Sequence, residues 1–460
     1  MIAALLKPEL DELIEKKAWV AIKEVLEEVP AVDVAELLEE LEPEVAIVIF
    51  RLLKKVKAAD VFSYLSTAKG IELLEVFSRE QLSDVMNNLE PDERVALMEE
   101  LPGDLTQKLF NSMDPKNIAQ VRMLLGYPAE SVGRLMTTNY VKIKKDWTVE
   151  KSFEHIRKYG RTAETVNVIY VVDEEEKLID DLRITQIIVA NADAKISDIM
   201  DSKFEALSAF DDQEEAVRML SKYDRIALPV VDSGGILVGI VTVDDVLDVA
   251  EEETTEDMHL MAGMSALSKT YSETTMGDMV GKRIGWLVIL FLGQMLTVTA
   301  MAGFEGALAS AAVLALFIPM IISSGGNSGS QAATLIIRAI STEDISLSDW
   351  FKVFKREFMS GLLLGAIIGV LGTIVIAFWM VLRGEPFTLA VGLQALTVGL
   401  SLLFVVMFGN MSGSMLPFFL SKLGLDPAVT SAPFVATLVD VTGIIIYFSI
   451  AVALLSGVVL

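Results

Sequence analysis

The 460 residues carry 64 acidic and 38 basic side chains, a net charge of −26, no cysteine and two histidines, His155 and His259, at a mean hydropathy of +0.50. Disulfides and thiolate metal sites are excluded, and a histidine-rich zinc or copper site lacks ligands within one chain, which leaves oxygen ligands and hard cations such as magnesium, calcium and manganese. High hydropathy and high charge belong to different stretches: residues 283–460 hold 8 acidic and 7 basic residues, leaving 56 and 31 for residues 1–282. The acidic part repels nucleic acid and anionic headgroups and attracts cations.

In chain order, residues 1–130 read as an acidic helical domain. The opening Met1-Ile2-Ala3-Ala4-Leu5-Leu6-Lys7-Pro8 lacks a basic start followed by a long apolar core, so no cleavable signal peptide is expected. Leu41-Glu42-Pro43-Glu44, Leu89-Glu90-Pro91-Asp92 and Met113-Asp114-Pro115-Lys116 recur at intervals of 48 and 24 residues, with Leu65-Ser66-Thr67-Ala68 at the intermediate position. Proline and an acidic side chain both suit a first helical turn. Apolar residues follow at helical spacing, as at Val95, Leu97, Met98 and Leu101. A period near 24 predicts a short stacked helical solenoid; an irregular helical bundle is the alternative.

Residues 131–250 change to an α/β pattern. Val166–Val172 and Ala227–Val231 read as buried strands, and Tyr170-Val171-Val172-Asp173 aligns with Pro229-Val230-Val231-Asp232. Leu135-Met136-Thr137 and Ile199-Met200-Asp201 open the two copies. Two copies of about 60 residues resemble a tandem cystathionine-β-synthase (CBS) pair. The second copy matches that family's Gly-x-x-Thr-x-x-Asp signature at Gly239, Thr242 and Asp245; the first has Asp180, Arg183 and Gln186 there. The resemblance implies a nucleotide, ATP, held through Thr242 and Asp245, while capping of the next helix is the structural alternative.

Residues 251–282 form an acidic linker, opening Glu251-Glu252-Glu253-Thr254-Thr255-Glu256-Asp257, with a helix expected over Met258–Ala266. Residues 283–460 then hold five apolar segments, Ile284–Gly303, Ala307–Ile340, Phe358–Leu382, Leu389–Leu420 and Val429–Ser456, each able to traverse roughly 30 Å of hydrocarbon. The second is expected to be broken at Ser323-Ser324-Gly325-Gly326-Asn327-Ser328-Gly329. Lys282, Arg283, Arg338, Lys352, Lys355, Arg356 and Lys422 flank one side, against Glu305, Arg383 and Glu385 on the other. The bias places the amino terminus in the cytoplasm and Leu460 outside.

Asp440 is the acidic residue well inside such a segment. Its carboxylate costs about 2.5–3.5 kcal/mol at a helix centre, so it needs something to hold, and a cation in a pore is the simplest candidate. Thr437, Gly443 and Pro433 share its segment; Pro433 is expected to loosen the helix, and Gly443 to admit another backbone. Gly326 and Asn327 in the glycine cluster, and Asn410, add amide and backbone oxygens. Close small-residue packing is the rival reading for the cluster, and an interhelical hydrogen bond for Asn410. Magnesium dehydrates reluctantly, so a ring of oxygens around a hydrated ion suffices. Two Asp440 side chains across the axis of a homodimer would repel without a divalent cation. No catalytic constellation and no phosphate-binding loop of the ATPase type is visible, so the chain does not read as an enzyme.

The order of acidic helical domain, CBS pair, linker and five spans resembles the MgtE family of magnesium channels along the whole chain, most sharply at Gly325-Gly326-Asn327-Ser328-Gly329-Ser330-Gln331-Ala332-Ala333-Thr334 and Pro433–Gly443. The resemblance implies a homodimeric, magnesium-selective pore in a bacterial-type cytoplasmic membrane, with Asp440 binding the ion and the segment around Met258–Ser272 plugging the cytoplasmic mouth. Where some relatives carry an amide before the proline, this chain has Ala432. Sensor carboxylates fall, by resemblance, at Asp212, Glu214, Asp224, Asp245, Asp248, Glu253, Glu256 and Asp257; none is assigned in the helical domain. Internal Mg2+ screening these charges would close the gate. The alternatives are a secondary transporter of Co2+ or Mn2+ and a non-conducting Mg2+ or nucleotide sensor.

Overall fold

The computed structural model describes residues 2–458 apart from 268–269, 273, 307–311, 343, 385, 387 and 457. The chain divides into two compact units, Met1–Ala250 and Glu251–Leu460.

In the first unit, ten helices run from Ile2 to Leu124. The helix before each repeat is capped at Pro30, Lys54, Ser78 and Pro102, and the helix of each repeat at Glu42, Ser66, Glu90 and Asp114. Successive caps are therefore 12 residues apart and each helix pair repeats at 24, as the solenoid reading expects. The caps explain the register. Pro43, Pro91 and Pro115 occupy first-turn positions where an N–H would go unused, and Ser66 and Ser78 accept from the backbone N–H of Lys69 and Gln81. Ile22, Leu38, Ile49, Leu73, Met86, Leu109 and Leu124 form the buried seam between pairs.

Two three-stranded sheets follow. Strands β1 (Lys142–Lys144), β2 (Val168–Val172) and β3 (Leu178–Arg183) form one, and β4 (Leu207–Ser208), β5 (Ala227–Val231) and β6 (Leu237–Thr242) the other. In each, the first pair is parallel, the second antiparallel, and the register slips at the same place, Val171/Val172 and Val230/Val231. Asp173 and Asp232 make matching turns, each carboxylate accepting two backbone N–H groups. The copies interlock: the N–H and C=O of Thr137 both bond Ile240. A Cβ on Gly239 would sit 2.9 Å from the Thr137 carbonyl oxygen, so this position of the signature requires glycine for packing. In the first copy Asp180 replaces that glycine and is fully buried, accepting N–H groups of Asp181, Asp201 and Ser202 at 2.9, 3.0 and 3.1 Å.

The acidic run after residue 250 is helical: one helix covers Val243–Met261. It stops short of the expected Ala266. Gly263 adopts φ +74, its N–H bonds Leu260 O and the Met264 N–H bonds His259 O, a glycine-terminated helix end. Residues 268–269 of the expected plug segment lie outside the described residues.

Among the described residues five helices are long and apolar enough to span a membrane: Met276–Ala302, Val313–Ser341 (in which the regular helix is Ile318–Ser341), Leu347–Leu382 (regular from Trp350), Leu389–Lys422 and Ala432–Leu455. Two expectations fail here. The second span is one continuous helix through Ser323–Gly329, because its glycines fit against neighbouring helices and the backbone bonds stay intact. Pro433 starts the fifth helix and does not loosen it: Ser431 caps the end, accepting from the Phe434 N–H, and the proline sits in the first turn. Pro319 likewise sits in a first turn, of the regular part of the second span, whereas Pro417 lies inside the fourth helix.

Candidate functional site

Glycine geometry builds the second unit. A Cβ on Gly325 would lie 2.9 Å from the Val405 carbonyl oxygen, and one on Gly329 2.9 Å from that of Gly409. Gly409 and Gly413 face the carbonyls of Gly325 and Gly329 in return. The second and fourth spans therefore meet backbone to backbone over two turns. Replacing Gly409 by Leu is expected to force them apart at about 1–3 kcal/mol and to lower the thermal midpoint of the detergent-solubilised protein by several degrees. Gly392→Ala, where nothing lies within 4 Å, leaves it unchanged.

This packing uses one face of the second span. The opposite face carries Ser323, Asn327, Gln331 and Thr334, all exposed and at helical spacing. Gly326, on the border, makes only ordinary contact with Ala436 of the fifth span. A polar stripe of membrane depth is thus left uncovered by its own chain.

Asp440 stands on the fifth span, half-buried. Its Oδ2 accepts a 2.7 Å hydrogen bond from Nε2 of Gln294 on the first span. Among the described residues no lysine, arginine or histidine pairs with it. The carboxylate has a neutral donor and no counter-charge. Thr437, one turn earlier, spends its hydroxyl on Pro433 O at 3.0 Å. Gly443 is buried, and the atoms nearest to a Cβ placed on it are side-chain carbons of Val405 and Ile322, at 3.2 and 3.3 Å.

Asn410 is placed differently. It is buried, its amide nitrogen donates to both Glu357 O and Glu357 Oε2 at 2.8 Å, and Ser328 Oγ donates to its Oδ1 at 3.4 Å. These bonds tie the second, third and fourth spans together, which is the interhelical alternative. Glu357 therefore belongs to a spanning helix that starts eight residues before the expected Phe358.

The carboxylates expected as sensors do not converge on one point. Asp212 caps helix Gln213–Tyr223, Glu214 lies in its first turn, and Asp224 ends it at φ 50, about 18 Å from Asp212 at 1.5 Å per residue. Asp245 instead meets the helical domain. Thr242 Oγ1 donates to its Oδ2 at 2.7 Å, the capping arrangement, and Asp92, Glu93, Asp244 and Glu164 crowd the same place. Burial, opposed by the Thr242 bonds and reinforced by Asp244, raises Asp245 to about 6. Burial and then Glu90, Asp244 and Asp245 raise Glu164 to about 7. Asp92 is pushed well above the usual carboxylate range by burial and Asp245. Among the described residues no three carboxylates close on a single point, so the cluster is open. Asp248, Glu253 and Glu256 lie along helix Val243–Met261. Asp257 accepts from Ser341 Oγ at 3.3 Å, and burial followed by the nearby Asp426 raises its carboxyl. Sequence reasoning missed Asp92, Glu93, Glu164 and Asp426, because their partners lie far away in the chain, and Gln294, whose signal was a lone amide in an apolar run.

The transmembrane region matches the family model described as divalent cation transporter over residues 318–450, and the preceding regions match the MgtE intracellular N domain over 29–130 and the CBS domain over 132–192 and 196–252. The magnesium transporter MgtE of Thermus thermophilus is 40% identical over 458 residues, 98% of each chain. The chain belongs to the MgtE family. The magnesium transporter MgtE of Bacillus subtilis is 31% identical over 434 residues, 92% of this chain and 94% of that one. A crystal structure of the cytosolic domain of the Mg2+ channel MgtE in complex with ATP is 37% identical at a TM-score of 0.50, covering 52% of this chain and 98% of that one. The MgtE family is one of magnesium transporters and not of enzymes, and this chain is a multi-pass membrane protein.

Proposed function

We propose that the protein is a homodimeric magnesium channel of the cytoplasmic membrane, closed by magnesium on its cytosolic side. The observation that carries this is Asp440, a carboxylate in a spanning helix whose hydrogen-bond partner among the described residues is a neutral amide. Such a charge is stable at membrane depth only with water or a cation beside it. The uncovered stripe Ser323–Asn327–Gln331–Thr334 supports the dimer: lipid cannot face it, whereas a second copy can pair with it around a water-filled passage. Asn327, Gly326, Thr437, Gly443 and Asn410 then shape that passage, Asn327 from its wall and Asn410 by holding the helices. The basic flanks place the amino terminus in the cytoplasm and the carboxy terminus outside.

The gate follows from charge. Leu260 and Met261 pack against the membrane core, and Gly263 lies beside Ser431 and Pro433 at the start of the fifth helix. This is where a plug would act. Asp257 and Asp426 form one ion-sensitive contact there, and Asp245 with Asp92, Glu93 and Glu164 another. Asp212, Glu214, Asp224 and Asp248 add to the acidic charge of the first unit, and Glu253 and Glu256 to that of the helix carrying Asp257. ATP at Thr242 and Asp245 would enter as its Mg2+ complex, since bare phosphates would meet the carboxylates gathered there.

Conduction is tested in vesicles containing the protein and a Mg2+ indicator, with a potassium diffusion potential negative inside. Mg2+ entry that needs no counter-ion gradient and grows with the potential is expected. Strict dependence on a proton or sodium gradient would make the protein a coupled transporter, and preference for Co2+ or Mn2+ would change its cargo.

A further inference from the structure

The first span has its apolar faces exposed: Leu287, Val288, Phe291, Leu292, Met295 and Leu296 all lie open. One strip differs. A Cβ on Gly293 would come within 2.9 Å of Thr437 Cγ2, so glycine lets this helix settle against the fifth span. The next residue, Gln294, then reaches Asp440 at 2.7 Å. One turn on, Thr297 is buried, and at the helix base the Ser265 N–H bonds Lys282 O. The first span is thus held in register against the helix that carries the membrane carboxylate.

We infer that Gln294 is a positioning residue for the permeating ion: its amide fixes Asp440 Oδ2 and leaves Oδ1 for the water shell of the cation. This rests on Asp440 being the ion-binding carboxylate. The type of side chain at 294 decides what the bond can do. A lysine would neutralise Asp440 and remove the site's attraction, and a second carboxylate would raise its repulsion. A neutral donor restricts the rotamer and keeps the whole negative charge available. Asp440 Oδ1 takes no bond from the described protein atoms and is not sealed from solvent. The first span therefore supplies part of the ion-binding centre as well as a tether.

The test uses Gln294→Met, equal in length and without a donor, in the full-length protein in vesicles, with Gln294→Leu as the second variant. Expected is about a ten-fold lower maximal Mg2+ flux, a several-fold higher half-saturating concentration, and weaker discrimination of Mg2+ over Ca2+. In the detergent-solubilised protein, the Mg2+-induced infrared shift of the carboxylate band lost in Asp440→Asn should broaden. In an Asp440→Asn background Gln294→Met should change nothing further. Unaltered flux, half-saturation and selectivity in Gln294→Met would overturn the inference, as would equal effects with and without Asp440. Wild-type flux in Asp440→Asn alone would instead sink the pore reading on which it rests. A thermal midpoint at the wild-type value separates positioning from misfolding; if both variants unfold early, the residue is structural and the inference fails.

Discussion

Asp440→Asn is expected to reduce Mg2+ uptake into vesicles by at least 100-fold while leaving the protein folded. The amide keeps the size of the side chain and can still bond Gln294, so packing on the first span is retained. What disappears is one negative charge from each chain. At an effective dielectric near 20, a doubly charged ion about 5 Å from one carboxylate gains about 7 kcal/mol; even half of that, after desolvation, exceeds a factor of 100 at about 1.4 kcal/mol per tenfold. Removing an uncompensated carboxylate from a spanning helix also relieves its insertion cost, so the thermal midpoint should hold or rise. Asp440→Glu tests position: the charge remains but the longer arm cannot keep the Gln294 bond and the same reach, and intermediate flux is expected. Uptake within a few-fold of wild type in Asp440→Asn would show that the charge serves helix packing and not the ion.

The parts read correctly from sequence depended on short-range rules. The 24-residue repeat is visible because each helix start is written locally, as Glu-Pro, Ser-Thr or Asp-Pro, and the caps at Glu42, Ser66, Glu90 and Asp114 fall where those dipeptides do. The CBS copies could be aligned because their strands carry the same turn aspartates, Asp173 and Asp232. The place of Asp440 inside a spanning helix was legible because charge in an apolar run is rare; its role rests on the flux measurement. The errors came where local chemistry has two meanings. Ser323–Gly329 has the composition of a loop, yet glycine also permits close helix packing, and only the partners at Val405 and Gly409 decide between them. Pro433 ends a helix in one context and begins it in another; Ser431 decides. The carboxylates of the helical domain gave no local signal. Asp92 is an ordinary first-turn acid until the fold brings Asp245 beside it.

That meeting of acids makes the interface between the helical domain and the CBS pair sensitive to pH, and on the proposed reading to magnesium. In protein stripped of divalent ions, the helical domain is expected to stay docked on the CBS pair at pH 5 and to loosen by pH 8. The facing groups are Asp92, Glu93, Glu90 and Arg94 with Asp60 behind them on one side, and Asp244, Asp245 and Glu164 on the other. Asp245 rises from 3.8 to about 6 and Glu164 from 4.5 to about 7, each chiefly through burial. A carboxyl whose value is raised on docking binds its proton more tightly in the docked state. Its contribution is therefore fully present below about pH 4 and is lost as pH climbs through about 6 to 7, at about 1.4 kcal/mol for each tenfold gain in proton affinity on docking. Magnesium at pH 8 replaces the protons and should restore docking, releasing those still bound when it binds near pH 6. Protease lifetime of the soluble region in the full-length protein, measured from pH 5 to 8 with chelator or Mg2+, reads this directly. The triple variant Asp92→Asn, Glu164→Gln, Asp245→Asn imitates the protonated cluster. It should remain protected at pH 8 without Mg2+ and, if docking shuts the gate, conduct several-fold less than wild type. A protease lifetime independent of both pH and Mg2+ in the wild-type protein would mean that these acids are a fixed part of the interface, and that the gate is sensed elsewhere, with Asp257 and Asp426 the next pair to remove.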